Sequence, residues 1–420
     1  MPRDWHLPPS ACKPAAPLIP AIVIFVATYV VMAIGRLPGY RLDRAGAALL
    51  GASLMVGVGV LDLNEAFAAV DMETIILLLG MMIVVANLRL SGFFRLATAW
   101  AVARSGSPLA LLGATVAVTG VLSAFLVNDA VCLVMTPLVL ELVTRLRRNP
   151  VPYLLAVAMA SNAGSVATIT GNPQNMIIGS LSKIPYVTFA ANLSPLAVLA
   201  LVLAFCLIAA FHPAEFFGDN RLAVTDEGEP HYHRPLVIKS VAILVAMIAL
   251  FFAGQPVAEV AILGGARLLF TRRINPKKIY IDIDWPLLVM FAGLFIVVAG
   301  LEKAVLDPQT IAMIGRINLD QVPVLAGVTV VLSNFVSNVP AVLVLKPFVA
   351  KLADPQKAWL TVSMAATLAG NFTLVGSVAN LIVVERARAR GVDIGFWHYF
   401  KVGAPLTLIT LAAGALWMAA

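Results

Sequence analysis

One motif occurs twice in this chain, each time with an amide side chain in the middle of an apolar run. Residues 121–139, VLSAFLVNDAVCLVMTPLV, return 210 positions later as VLSNFVSNVPAVLVLKPFV. Each copy carries an asparagine, Asn128 or Asn338, and a proline nine residues on, Pro137 or Pro347. A second pair of interruptions repeats as well, SNAGSVATITGNPQN (161–175) and GNFTLVGSVAN (370–380). A shift of 205 residues lays Thr168 on Thr373, Gly171 on Gly376 and Asn175 on Asn380. Internal repeats whose apolar segments break at corresponding places are the sequence sign of a secondary transporter, and the breaks point to its binding site.

Composition agrees. Sixty per cent of the 420 residues are apolar and 12% are charged, which excludes a water-soluble globular protein and leaves a polytopic membrane protein. A spanning helix needs roughly 20 apolar residues, and the chain supplies about ten such stretches, with no room for a sizeable soluble domain. The start, MPRDWHLPPSACKPAAP, is polar up to the first apolar run near Leu18, and no small-residue cleavage pattern closes that run, so a retained first helix is expected. Cys12, Cys132 and Cys206 lie far apart, and His231 and His233 sit in a charged stretch, so no disulfide framework, metal site or cofactor is expected. The net charge of +7 reads as membrane topology, not nucleic-acid binding. No nucleophile and base pair or phosphate loop supports an enzyme.

The expected organisation is two repeats. A tail (1–17) precedes a first repeat (18–211) of three helices, a hairpin near 107–146, a broken helix over 152–182 and a helix over 187–211. A hydrophilic linker (212–235) leads to a second repeat (236–420) of three helices, a hairpin near 321–353, a broken helix over 357–383 and a helix over 397–419. Basic clusters follow the first helix (Arg36, Arg41, Arg44), the first hairpin (Arg145, Arg147, Arg148), the second helix of the second repeat (Arg272, Arg273, Lys277, Lys278) and the second broken helix (Arg386, Arg388, Arg390). All of them face the cytoplasm only if both hairpins are re-entrant and the two repeats are inverted. The N-terminus is then periplasmic, the first hairpin cytoplasmic and the second external. Segments 92–106 and 301–320 read as amphipathic interfacial helices. The fold class is therefore all-α, with about ten transmembrane helices and two re-entrant helical hairpins in an inverted-topology repeat.

Backbone that leaves the helix within a membrane persists only where protein or a watery cavity satisfies it. The candidate substrate-binding residues are thus Asn128, Ser337 and Asn338 at the hairpin tips, Ser161, Asn162, Thr168, Thr170, Asn172 and Asn175 in the first break, and Asn371, Thr373, Ser377 and Asn380 in the second. Such groups suit a small oxyanion or neutral oxyacid; the alternative is that they glue helices together. Asp129, the one acidic residue at the tips and breaks, is either a proton carrier or the cap of the helix returning from the tip. Lys346 is close enough to the outer interface to snorkel. Cys132 reads as a small hydrophobe, although a thiol ligand one turn past Asn128 is the other reading.

The runs SGFFRLATAWAVA, FLVNDAVCLVMTPLV, FVSNVPAVLVLKPFV and GSVANLIVVERA together resemble the arsenite and antimonite efflux permeases of the ion transporter superfamily. The resemblance covers nearly the whole chain after the first helix. It implies a scaffold with a moving transport domain, elevator-like exchange of access, residence in a bacterial inner membrane and export of arsenite or antimonite in exchange for protons, for which the intramembrane carboxylate of Asp129 is the expected coupling group. It leaves open a homodimer and a soluble ATPase partner. The superfamily's sodium-coupled carboxylate branch is similar to Ser-Asn-Thr at both sites, whereas here Ala163 follows Ser161-Asn162 and Val339 follows Ser337-Asn338. The stretch GNPQN (171–175) looks closer to anion permeases of looser assignment than to typical arsenite carriers. A sodium/proton antiporter or a small-anion carrier is therefore the alternative. A passive channel is disfavoured, because a pore gains nothing from opposed hairpins.

Overall fold

The computed structural model describes residues 18–35, 42–217, 232–271, 274–305 and 318–419, and these are helical throughout with short connections. Through the first repeat run α1 (Leu18–Ile34), α2 (Arg44–Gly57), α3 (Leu63–Ala69), α4 (Met72–Ser91), α5 (Phe93–Ala103), α6 (Pro108–Phe125), α7 (Asn128–Arg145), α8 (Pro150–Ser165), α9 (Pro173–Ser182) and α10 (Tyr186–Phe211). After the short α11 (Pro213–Phe216) come α12 (Arg234–Phe252), α13 (Val257–Leu269), α14 (Pro276–Ile281), α15 (Trp285–Val305), α16 (Val322–Val336), α17 (Asn338–Val349), α18 (Pro355–Ala369), α19 (Val378–Arg388) and α20 (Phe396–Ala419). Among the described residues, six helices are long and apolar enough to cross a membrane, namely α4, α6, α10, α12, α15 and α20. The chain reaches its larger number of apolar stretches with shorter helices such as α1, α2, α16 and α17. The tail 1–17 with Cys12, most of the 212–235 linker with His231, Arg36, Arg41, Arg272, Arg273 and the centre of the 301–320 segment lie outside the described residues. The other expected interfacial helix is α5.

Local chemistry sets the helix starts. Ser107, Asn149, Asn172 and Asp354 each accept a hydrogen bond from a backbone N–H of the first turn, and each is followed by proline at the first helical position. Proline has no N–H to leave unsatisfied there, and its fixed φ is already helical. The hairpins turn tightly. Leu126 and Val127 join α6 to α7, and Ser337 alone joins α16 to α17 with φ +80° and ψ 160°. That region is nearly reserved for glycine, so the second tip holds a strained residue that its surroundings must maintain.

Two helix pairs crossed at close range anchor one group of helices, α1, α2, α4, α12, α13 and α15. A Cβ placed on Gly80 of α4 would stand 2.5 Å from the carbonyl carbon of Ala261 in α13, and one on Gly293 of α15 would stand 2.7 Å from that of Ala48 in α2. A single shift of 213 residues carries Gly80 onto Gly293 and Ala48 onto Ala261. Both crossings are therefore one contact built twice. With no hydrophobic drive between helices in lipid, small residues that admit close backbone approach supply the attraction. The hairpins, the broken helices, α10 and α20 form the second group. Tyr29 of α1 donates to the Pro340 carbonyl of α17 at 3.2 Å, and the Lys346–Glu302 (3.6 Å) and Lys183–Glu73 ion pairs also join the groups.

Replacing Gly80 or Gly293 with valine should destabilise the protein by about 1–3 kcal/mol or more through overpacking. Gly57→Ala, where nothing lies within 4 Å, should be near neutral. Thermal unfolding of the detergent-solubilised chain reads both; equal loss at all three positions would discard the close-crossing account.

Candidate functional site

The two broken helices are held open by the same device. Asn175 donates from Nδ2 to the carbonyls of Ser165 (3.0 Å) and Thr168 (3.1 Å). Asn380 donates to those of Gly370 (2.7 Å) and Thr373 (3.1 Å), the same two positions displaced by 205 residues. One amide thus satisfies the carbonyl at the end of the preceding helix, Ser165 or Gly370, and braces a second carbonyl of the connection, which also accepts from the N–H of Gly171 or Gly376. Asn172 and Ser377, also equivalent, cap α9 and α19 by accepting from the N–H groups of Asn175 (2.8 Å) and Ala379 (3.2 Å). Thr168 donates to the Ala124 carbonyl beside the first tip, and Thr170 shares a hydrogen bond with Tyr186 at 3.0 Å.

Asn162 ties the pieces together. Its Oδ1 accepts from Asn128 Nδ2 (3.2 Å) and Ser377 Oγ (3.1 Å), while its Nδ2 donates to Asn371 Oδ1 (3.0 Å) and Asn380 Oδ1 (3.1 Å). One buried amide therefore links the first hairpin tip, the first break and the second break. Ser161 accepts from the Cys132 thiol at 2.9 Å, which places the buried Cys132 inside this packing.

A cavity of about 280 Å³ lies between the two helix groups. Asn128 and Asp129, Pro173 and Gln174, Ser337 to Pro340, and Ser377 with Val378 line it from the second group. These are the opening residues of α7, α9, α17 and α19, so four helix N-termini converge on one space. Each contributes roughly half a positive charge in partial charges on free N–H groups. The first group supplies Asp43, Arg44 and Asp284. Asp43 and Asp284 also cap the starts of α2 and α15, so with Arg44 the helix starts balance the three carboxylates to within about one positive charge. The Oδ1 of Asn128, buried on this wall, has no hydrogen-bond partner, whereas its repeat Asn338 accepts from Ser333.

Asp129 sits in the first turn of α7 but caps nothing, because the N-cap residue is Val127 and no side chain bonds there. The capping alternative is therefore set aside. Asp129 makes no hydrogen bond or ion pair among the described residues; the charged group that acts on it is Asp284, at the start of α15 in the other helix group. Both carboxylates also line a neighbouring crevice of about 100 Å³ that ends at the Arg89–Asp282 ion pair. Lys346 pairs with Glu302 and is not on the cavity wall.

Of the candidate residues, Asn128, Asp129, Ser337, Asn338 and Ser377 reach the cavity. Ser161, Asn162, Thr168, Thr170, Asn172, Asn175, Asn371, Thr373 and Asn380 do not; of these, Thr168, Asn172, Asn175 and Asn380 hold the broken backbone in place behind it. Sequence reading passed over Gln174, Arg44 and Asp284. The carboxylates of DIDWP (282–286), at the threshold of an apolar run, were the available signal.

Comparisons with known proteins agree with this architecture. Residues 29–361 match the CitMHS family, described as citrate transporter. An uncharacterized transporter of Mycobacterium tuberculosis is 32% identical over 95% of this chain and 97% of its own. A silicon efflux transporter of rice, Oryza sativa subsp. japonica, is 29% identical over 90% of this chain and 92% of its own. Among solved structures, the YdaH transporter of Alcanivorax borkumensis superposes with a TM-score of 0.58 over 94% of this chain and 95% of its own, at 15% identity, a likeness of fold alone.

Asn162→Ala leaves donors and acceptors on four partners unpaired, at about 1–3 kcal/mol for each buried group so stranded. The expected result is a sharp fall in melting temperature together with loss of transport. A melting temperature unchanged from wild type would show that the amide hub does not hold the site.

Proposed function

This chain is a membrane transporter that belongs to the CitMHS family of citrate transporters, and on that premise we propose that it exports arsenite, and antimonite with it, across the bacterial inner membrane in exchange for protons. The observation that carries the choice of solute is the amide- and hydroxyl-lined cavity, whose charges balance to within about one unit. Arsenous acid is mostly uncharged near neutral pH. Its hydroxyls can donate to Asn128 Oδ1 and Ser337 Oγ and accept from Gln174, Asn338 and the N–H groups of four helix starts. The rice relative named for silicon efflux supports this reading, since dissolved silicon is also a neutral hydroxy acid. A multiply charged carboxylate is the second reading, favoured by the family's description and by Arg44 on the cavity wall. Against it, the same wall holds Asp43, Asp129 and Asp284.

Asp129 carries the coupling proton, and Asp284 faces it from the other helix group. With both ionised, the two carboxylates repel across the boundary; a proton shared between them removes that repulsion and lets the groups approach. The hairpin-bearing group moves against the other as an elevator, with the arginine-rich ends of the helices in the cytoplasm and the N-terminus outside.

Asp129→Asn should abolish proton-driven arsenite accumulation in proteoliposomes while leaving arsenite exchange without a gradient largely intact. Unchanged accumulation would remove Asp129 from the mechanism; loss of both activities would assign it to solute binding.

A further inference from the structure

A third cavity, of about 350 Å³, lies beside α5 and shares no lining residue with the solute cavity. Arg89, Arg95, Arg386 and Arg390 line it with Phe94 and a single carboxylate, Glu141. Two of these charges are already answered: Glu141 pairs with Arg145, and Arg89 pairs with Asp282. Arg390 donates to the Pro137 carbonyl at 2.8 Å, a neutral partner, and Arg95 and Arg386 make no hydrogen bond or ion pair among the described residues. Three guanidinium groups therefore share one concavity whose single carboxylate, Glu141, is already paired with Arg145 outside it. Like charges gathered in a hollow raise its potential and draw in an anion.

The guanidinium fork matches the oxygens of phosphate two at a time, and several forks around one hollow select a phosphate over a halide. The surroundings indicate where such an anion comes from. Helix α5 is amphipathic, and its Trp100 is 53% exposed with Arg104 stacked 4.3 Å from the ring, an arrangement suited to the headgroup level of a bilayer. Basic hollows between helices at that level hold acidic headgroups.

We propose that this cavity binds a phosphate-bearing anion, seated there as the headgroup of an anionic phospholipid of the arginine-side leaflet. Arg89 belongs to α4 of one helix group, and Arg386 and Arg390 belong to the second, on and just beyond α19. A headgroup held among them bridges the two groups and stabilises the arrangement seen here. The site is independent of the solute cavity, so its test does not depend on which solute is carried.

The test is the melting temperature of the full chain in detergent, titrated separately with phosphatidylglycerol, phosphatidylcholine and inorganic phosphate. It is run on wild type, on the double variant Arg386→Gln/Arg390→Gln and on Arg388→Gln. Arg388 lies on the same helix but pairs with Asp393 at 3.1 Å outside the cavity, so its variant removes a charge without touching the site. Phosphatidylglycerol should raise the melting temperature of wild type and Arg388→Gln by a few degrees, leave the double variant unmoved, and exceed phosphatidylcholine. The same pattern with inorganic phosphate alone would support the anion site with a soluble source. Equal response to both lipids and none to phosphate, or a loss in Arg388→Gln as large as in the double variant, would overturn the proposal. Because the substituted arginines are exposed, a melting temperature near wild type without additive confirms that the variants are folded.

Discussion

Everything at the centre of this protein depends on satisfying backbone that has left the helix in an apolar surrounding. Each such group costs several kcal/mol if it is left without a partner. The chain meets that cost with asparagine used as a clamp. Asn175 and Asn380 close off the freed carbonyls of the two breaks, and Asn162 then joins both breaks to the first hairpin tip. With the carbonyls secured from behind, the opposite ends of the interruptions are free to present N–H groups forward. The starts of α9 and α19 thereby face the cavity, beside those of α7 and α17 from the hairpin tips.

That geometry fixes the electrostatics. Helix N-termini alone would make a strong anion site. Asp129 and Asp284 temper it, and because they come from different helix groups their charge state bears on how the groups sit together. A proton that changes this pair therefore changes both the field felt by the solute and the repulsion across the boundary. In the proposed mechanism, coupling would follow from placing these carboxylates on two helix groups.

Much of the architecture was legible in the sequence because it was written twice. Asn128 and Asn338 stand out as amides in apolar runs, and the 205-residue repeat of the breaks located the interruptions to within a few residues. The roles within those breaks were less legible. Asn175 and Asn380 have the composition of a binding site, yet they face backbone, and an asparagine that grips a carbonyl looks the same in sequence as one that grips a solute. Asp284 escaped notice for a different reason. It lies 155 positions from Asp129 and joins it only through the packing that sets the start of α15 on the wall of the same cavity as the first tip. The close crossings themselves were present as a 213-residue repeat, but small residues in apolar helices are too common to single out without the packing.

The most direct measurement is solute accumulation by wild-type protein in proteoliposomes, with an inside-acid proton gradient imposed and then collapsed by an uncoupler. The account predicts that arsenite accumulates, that the uncoupler releases it, and that citrate at the same concentration neither accumulates nor competes. Gradient-dependent uptake of citrate or sodium with none of arsenite would contradict it, leaving the fold and the amide hub in place but assigning the cavity to another solute.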